Sequence, residues 1–103
     1  MTVDNDSKDI DAFLERYREI IVSERIPYVE VDTLIFGVMI PRNVYLGRYM
    51  YIDLSLEKVI SPYWRKDCLV FSTHFEQGVF EVSLPLKSIV RLYPLDTDFA
   101  EPA

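Results

Sequence analysis

The chain contains few of the residues that catalytic and metal-binding motifs require. Its 103 residues include one cysteine, one histidine and three glycines. The single cysteine, Cys68, excludes an internal disulfide and a cysteine-rich zinc site, and it is typical of a reducing compartment. Three glycines are too few for a glycine-rich phosphate-binding loop. The composition therefore disfavours most nucleotide-binding and metal-dependent enzymes.

The sequence also lacks a hydrophobic run long enough to cross a membrane. Its longest apolar stretch, Leu34 to Ile40, has seven residues, whereas a bilayer span needs about 20. The N-terminus is rich in aspartate and has no basic or apolar region of a secretory signal. We therefore predict a cytoplasmic protein with no membrane partner.

Basic charge is not concentrated anywhere in the chain. The net charge of −6 divides into −3 for residues 1–11 and −3 for residues 94–103, so residues 12–93 are neutral. A sequence-independent nucleic-acid binder needs a basic stripe that releases counterions from phosphates. The absence of such a stripe predicts that nucleic acid is not a partner.

Apolar residues are abundant and follow a helical pattern near the N-terminus. They make up 50% of the chain, which is enough for the core of one compact domain. Between Ile10 and Ile21 they recur at the spacing of one helical face, which predicts a helix from about Asp9 that ends before Pro27. Residues 1–8 are predicted to be disordered.

The remainder of the chain predicts short antiparallel strands separated by glycine and proline. The predicted strands cover residues 28–31, 34–40, 49–55, 69–75, 79–84 and 89–93. Gly37 predicts a bulge or bend in the second of them. The predicted fold is α+β and mainly β, an N-terminal helix followed by a small open antiparallel β-barrel or sandwich. One domain covers residues 9–93, and residues 94–103 form a flexible end.

The chemically active side chains do not form a recognisable catalytic set. His74 has no partners at metal-ligand spacing, so it is either a polar groove residue or a half-exposed strand residue. The acidic Asp67 beside Cys68 disfavours a thiolate nucleophile. Several serines are present without a Gly-x-Ser-x-Gly elbow. We predict a protein that is not an enzyme and that uses no metal or cofactor.

Two apolar features remain that are suited to binding. The predicted helix carries one apolar face, formed by Phe13, Leu14, Tyr17, Ile20 and Ile21. This face either covers one end of the β-structure or packs on the same helix of a second copy in a homodimer, and we favour the dimer. The strands carry more aromatic residues than a core of this size needs, among them Tyr63 and Trp64. An unpaired strand edge beside such side chains accepts an extended peptide.

Four segments resemble, in order, motifs of the stringent starvation protein B family. Val31–Pro41 resembles the family's "VD…GV.VP" segment, and residues 52–59 resemble "LNIA…AV". Residues 70–75 resemble "V.F.ARF.G", and residues 82–93 resemble "VSVPL.AV..IY". The resemblance extends over residues 9–93.

The resemblance implies an adaptor of the ClpXP protease with a Sm-like β-structure that dimerises through its N-terminal helix. Members of the family bind the ssrA degradation tag as an extended peptide in a hydrophobic groove. Carried over to this chain, the groove is lined by Phe71, Ser72, Thr73, His74 and Phe75, with Ile52, Leu54, Ser55, Val38 and Ile40 as further candidates. The acidic tag would be steered by Arg42, Arg48, Arg65 or Lys66.

The chain departs from the family pattern in two places. Where the family has a small alanine and two glycines in the groove strand, this chain has Thr73, Glu76 and Gln77. A bulkier threonine and an acidic glutamate alter the pocket and repel an acidic tag. Residues 94–103 are acidic, unlike the family's basic–apolar motif that docks on ClpX. Two alternatives stay open: an interaction module without ClpX tethering, and a Sm-like RNA binder whose aromatic residues stack on bases.

Overall fold

The computed structural model describes residues 2–44 and 47–95, with side chains from Asp9 onward. One helix, α1 (Thr2–Val22), precedes the strands. The strands are β1 (Ile26–Asp32), β2 (Tyr49–Asp53), β3 (Ile60–Arg65), β4 (Cys68–Phe75), β5 (Gly78–Pro85) and β6 (Ile89–Leu95). The helix begins seven residues before the predicted start, so residues 2–8 are helical rather than disordered.

The strands form two antiparallel three-stranded sheets. The first sheet has the order β2-β1-β6, and the second has the order β3-β4-β5. Their inner faces enclose one hydrophobic core, formed by Val29, Val31, Ile52, Leu54, Leu69, Phe71, Val82 and Leu84. The predicted α+β, mainly β fold class is therefore confirmed.

Strand β2 shows how the sequence pattern positions the side chains. Met50 and Ile52 are buried, whereas Tyr49 and Tyr51 are exposed. This is the predicted alternation, and it follows because successive side chains of a strand point to opposite faces. The first sheet consequently has an apolar inner face and a polar, aromatic outer face.

The predicted strand over residues 34–40 is wrong. The chain turns instead, because the Asp32 carboxylate and carbonyl accept the amides of Leu34 and Ile35 at 3.1 and 3.2 Å. Of this segment only Met39 pairs, through two backbone hydrogen bonds of 2.9 and 3.0 Å with Ser83 of β5. A continuous apolar run does not distinguish a strand from a partly buried loop.

Strand β3 was not predicted from the sequence. Its side chains are almost all exposed, so it lacks the alternation that identifies a half-buried strand. Pro62 also removes one backbone donor, which argues against a central strand and is tolerated at an edge. Around Ser61, whose φ is 50°, the register with β4 shifts, as in a β-bulge.

The last strand extends beyond its predicted end at Tyr93. Pro94 and Leu95 belong to β6, where they lie opposite Pro27 and Ile26 of β1. The predicted flexible end at residues 94–103 is therefore corrected for these two residues. Residues 96–103 lie outside the described part of the chain.

Helix α1 ends in a Schellman motif with a residue that is not glycine. The amide of Arg25 donates to the Ile20 carbonyl at 3.2 Å, and that of Glu24 donates to the Ile21 carbonyl at 3.0 Å. Glu24 has a φ of 61°, the left-handed conformation that glycine normally supplies at this position. A residue with a Cβ is strained in this conformation.

We therefore expect Glu24→Gly to stabilise the protein by about 1 kcal/mol, because it relieves the left-handed strain. Glu15→Gly is the matched control, since Glu15 is exposed within the helix. That change should lower the free energy of unfolding by about 1 kcal/mol through its effect on helix propensity. Urea unfolding followed by circular dichroism measures both. A loss of stability in Glu24→Gly would contradict the assigned helix end.

Candidate peptide-binding cleft

Most of the predicted groove residues belong to the core. Phe71 is 1% exposed, Leu54 2%, and Ile52 and Thr73 5% each. Their side chains lie on the inner faces of the sheets, so they do not line an open surface groove. These four residues are therefore reassigned from the predicted groove to the hydrophobic core. The sequence could not separate the two positions, because a strand that lines a core and a strand that lines a groove show the same apolar alternation.

The other predicted groove residues divide between two faces of the second sheet. Ser72 and His74 lie on its outer face, where His74 is exposed. Phe75, Val38 and Ile40 are half-buried against the core. Val38 and Ile40 flank Met39, which pairs with Ser83 on the outer edge of β5. Val38 and Ile40 thus lie beside an edge that the chain itself pairs at that point, whereas Phe75 lies opposite Gly78 at the start of β5.

The helix face that was predicted to form a dimer packs largely within its own subunit. Ile20 is 1% exposed. Phe13 makes an edge-to-face contact with Trp64, with ring centroids 5.9 Å apart. The Tyr17 hydroxyl donates to the Leu54 carbonyl at 2.7 Å. These three side chains cover the β-structure. This was the alternative interpretation of the apolar helix face in the sequence analysis. Leu14 and Ile21 are only partly buried, and a dimer through α1 stays a prediction.

An apolar cleft of about 350 Å³ lies between the helix and the second sheet. We call it the helix cleft. It is lined by Phe13, Leu14 and Tyr17 of α1, by Leu54, Leu56 and Val59 after β2, and by Pro62, Tyr63, Trp64 and Leu69 of β3 and β4. Its volume lies within the usual range of ligand pockets.

A hydrogen bond joins the helix to the chain at the base of the cleft. Tyr17 holds the chain after β2 through its hydrogen bond to the Leu54 carbonyl. Burial, and in second place the charge of Asp53, raise the pKa of Tyr17. The hydroxyl therefore stays protonated at neutral pH and remains a donor.

The rim of the cleft is apolar and exposed. Leu56 is 70% exposed and Tyr63 46%. Beside them, β3 pairs on one side with β4 and has no strand on its other side among residues 2–44 and 47–95. A bare strand edge next to an apolar depression is the arrangement that accepts an added peptide strand. The sequence analysis identified Tyr63 and Trp64 as aromatic residues beyond those that the core needs. It did not predict that they line a cleft, because β3 lacks the alternation that identifies a strand.

The predicted steering residues differ in their surroundings. Arg48 is bound to Asp32 through two hydrogen bonds of 3.2 and 3.3 Å. Arg65 and Lys66 are exposed where β3 ends and turns into β4, next to Trp64 of the cleft. Arg42 is exposed in a short 3-10 turn. Of the four, Arg65 and Lys66 are therefore placed best to act on a ligand of the helix cleft.

Three general findings bear on the class of site. The described side chains include no group of three or more His, Cys, Asp or Glu residues arranged to hold a metal ion. Within the same part of the chain, no helix combines the length and apolar character that a membrane span needs. No protein-family model and no curated protein matches the chain.

Ser55, another predicted groove residue, has a buried hydroxyl without a hydrogen-bond partner among the described residues. Thr73, buried like Ser55, donates to the Lys58 carbonyl at 2.9 Å. The two hydroxyls allow a matched comparison, because a buried polar group stabilises only when it is paired.

We expect Ser55→Ala to leave the free energy of unfolding unchanged or to raise it by up to about 1 kcal/mol. Thr73→Val should lower it by about 1 kcal/mol, since the Lys58 carbonyl then loses its donor. Both are measured by urea unfolding. Equal destabilisation by the two changes would show that the Ser55 hydroxyl is paired in solution.

Proposed function

We propose that the protein is a non-enzymatic adaptor that binds an unstructured degradation tag of the ssrA type and delivers tagged proteins to the ClpXP protease. On this proposal the domain is of the Sm-like, stringent starvation protein B type. Two lines of support are independent of each other. The first is the ordered set of motifs between Val31 and Tyr93, and the second is the helix cleft beside the bare edge of β3.

The helix cleft beside this edge is the observation that carries the proposal. An extended peptide that adds to β3 gains backbone hydrogen bonds along the edge, which give affinity with little dependence on sequence. Trp64 lies opposite Leu69 on the inner face of the sheet. Side chains of the peptide that point to the same face therefore enter the cleft, and these side chains give specificity.

The two ends of β4 carry opposite charges, and an acidic tag would favour the basic end. Arg65 and Lys66 precede β4, whereas Glu76 follows it, so the basic and acidic turns lie at opposite ends of the strand. A peptide bound along β3 would place its acidic residues near Arg65 and Lys66. Glu76 would repel an acidic ligand beside Phe75, but it lies at the other end of β4 from Arg65 and Lys66.

Fluorescence anisotropy with a labelled ssrA-type peptide tests the proposal. We expect Tyr63→Ala to weaken binding about tenfold, because a half-exposed tyrosine at a peptide site is a typical hot spot. Tyr49→Ala is the matched control, since Tyr49 is 44% exposed and also lies on an edge strand, but in the first sheet. It should change the affinity less than about twofold.

Two outcomes would contradict the proposal. One is the absence of binding by the unaltered protein at high micromolar peptide. The other is an equal loss of affinity in Tyr63→Ala and Tyr49→Ala, which would mean that the tag does not bind beside β3. Recovery of ClpX with the protein from native lysate tests the delivery step separately and decides against an interaction module without ClpX.

A further inference from the structure

The outer face of the first sheet carries a second set of aromatic and charged side chains. We call it the tyrosine face. It is formed by Tyr28, Glu30 and Asp32 of β1, by Tyr49, Tyr51 and Asp53 of β2, and by Arg91 and Tyr93 of β6. These residues stand side by side because they lie opposite one another in the register of the antiparallel strands.

One unit of this face combines a carboxylate, an arginine and a tyrosine ring. Arg48 donates to both carboxylate oxygens of Asp32 at 3.3 and 3.2 Å. Its guanidinium also lies 5.0 Å from the ring centroid of Tyr49. The hydrogen bonds from Arg48 are the main reason that the pKa of Asp32 lies below its usual range. The guanidinium thus gains both a charged partner and an aromatic surface.

The same combination occurs a second time at the other edge. Arg91 donates to Glu30 at 3.0 Å, and its guanidinium lies 4.3 Å from the ring centroid of Tyr93. The second oxygen of Glu30 accepts the Tyr51 hydroxyl at 3.2 Å. Two of the three carboxylates on the tyrosine face therefore each hold one of the chain's own arginines.

The third carboxylate, Asp53, differs in having no ion pair within the described residues. Its Oδ1 atom accepts the Ser55 amide at 2.8 Å. Asp53 lies directly opposite Tyr28 in the register and two residues after Tyr51 on the same strand. Burial raises the pKa of Tyr28, and the charge of Asp53 raises it further.

We propose that Asp53, with the rings of Tyr28 and Tyr51, binds the guanidinium of an arginine in a basic segment of a partner protein. The same contact already occurs twice within the chain, where Arg48 and Arg91 each bind a carboxylate and lie against a tyrosine ring. The three carboxylates of the tyrosine face are balanced by Arg91 of the face and by Arg48, which precedes β2 and binds Asp32. One negative charge is left over, and the chain carries −6 in all. Both charges attract a basic segment.

Arginine is favoured over other ligands by the chemistry of the face. A planar guanidinium pairs with a carboxylate and stacks on a tyrosine at the same time, whereas the ammonium of lysine is a strongly hydrated point charge. Phosphate groups are disfavoured, since Arg48 and Arg91 already bind carboxylates and Asp53 repels anions. The inference does not depend on the proposed tag binding, because it concerns the outer face of the first sheet and a cationic ligand.

The test uses a fluorescein-labelled peptide of alternating glycine and arginine at low salt. Asp53→Asn removes the charge but keeps an oxygen that accepts the Ser55 amide, so we expect it to weaken binding about fivefold without unfolding the protein. Glu81→Gln is the control, because Glu81 is exposed on the second sheet and its loss changes the net charge equally. It should weaken binding less than about twofold. In NMR titrations of the unaltered protein, the amides of Tyr28 and Tyr51 should shift.

Several results would overturn the inference. Equal weakening in Asp53→Asn and Glu81→Gln would mean that the peptide responds only to net charge. Equal affinity for a glycine–lysine peptide would remove the preference for a guanidinium. Amide shifts confined to the second sheet would move the site elsewhere. A change in self-association of Asp53→Asn, measured by sedimentation velocity, would assign the face to a second copy of the chain instead of a partner.

Discussion

The two small sheets pack against each other around Phe71 and Leu54, and this packing forms the single hydrophobic core of the described chain. Three short strands per sheet bury few residues, and neither sheet alone could stabilise a core. The helix supplies the missing cover, with Ile20 enclosed and Phe13 and Tyr17 packed on the same core. The apolar face of α1 is thus explained largely within one subunit.

Small sheets also leave edges, and the chain treats two of the edges differently. Met39 pairs with Ser83 on the outer edge of β5, whereas the outer edge of β3 has no strand beside it in residues 2–44 and 47–95. Pro62 and the register shift near Ser61 reduce the tendency of such an edge to aggregate. The regular part of the edge is the short stretch Tyr63 to Arg65 after the shift, which lies next to the apolar helix cleft and suits only a short extended ligand.

The two proposed surfaces have opposite preferences for charge. Arg65 and Lys66 lie at the end of β3 near the helix cleft, whereas Asp53 of the tyrosine face has no ion pair among the residues that the structure describes. An adaptor with two such surfaces would hold an acidic tag on one and a basic partner segment on the other. Holding both at once would raise their effective concentration towards each other.

The sequence alone predicted the elements whose side chains repeat regularly. The period of the helix, the alternation in β2 and the resulting α+β class all follow from local patterns that the structure confirms. Periodicity could not separate core from groove, because Phe71 and Ile52 would alternate in the same way in either position.

The site was decided by tertiary structure. Strand β3 is exposed and irregular, so only its pairing with β4 identifies it, and only the position of α1 turns Tyr63 and Trp64 into the wall of a cleft. The register of the first sheet likewise places Asp53 opposite Tyr28, far from it in sequence. A sequence determines which way each side chain of a strand points, but which residues lie beside it depends on long-range pairing.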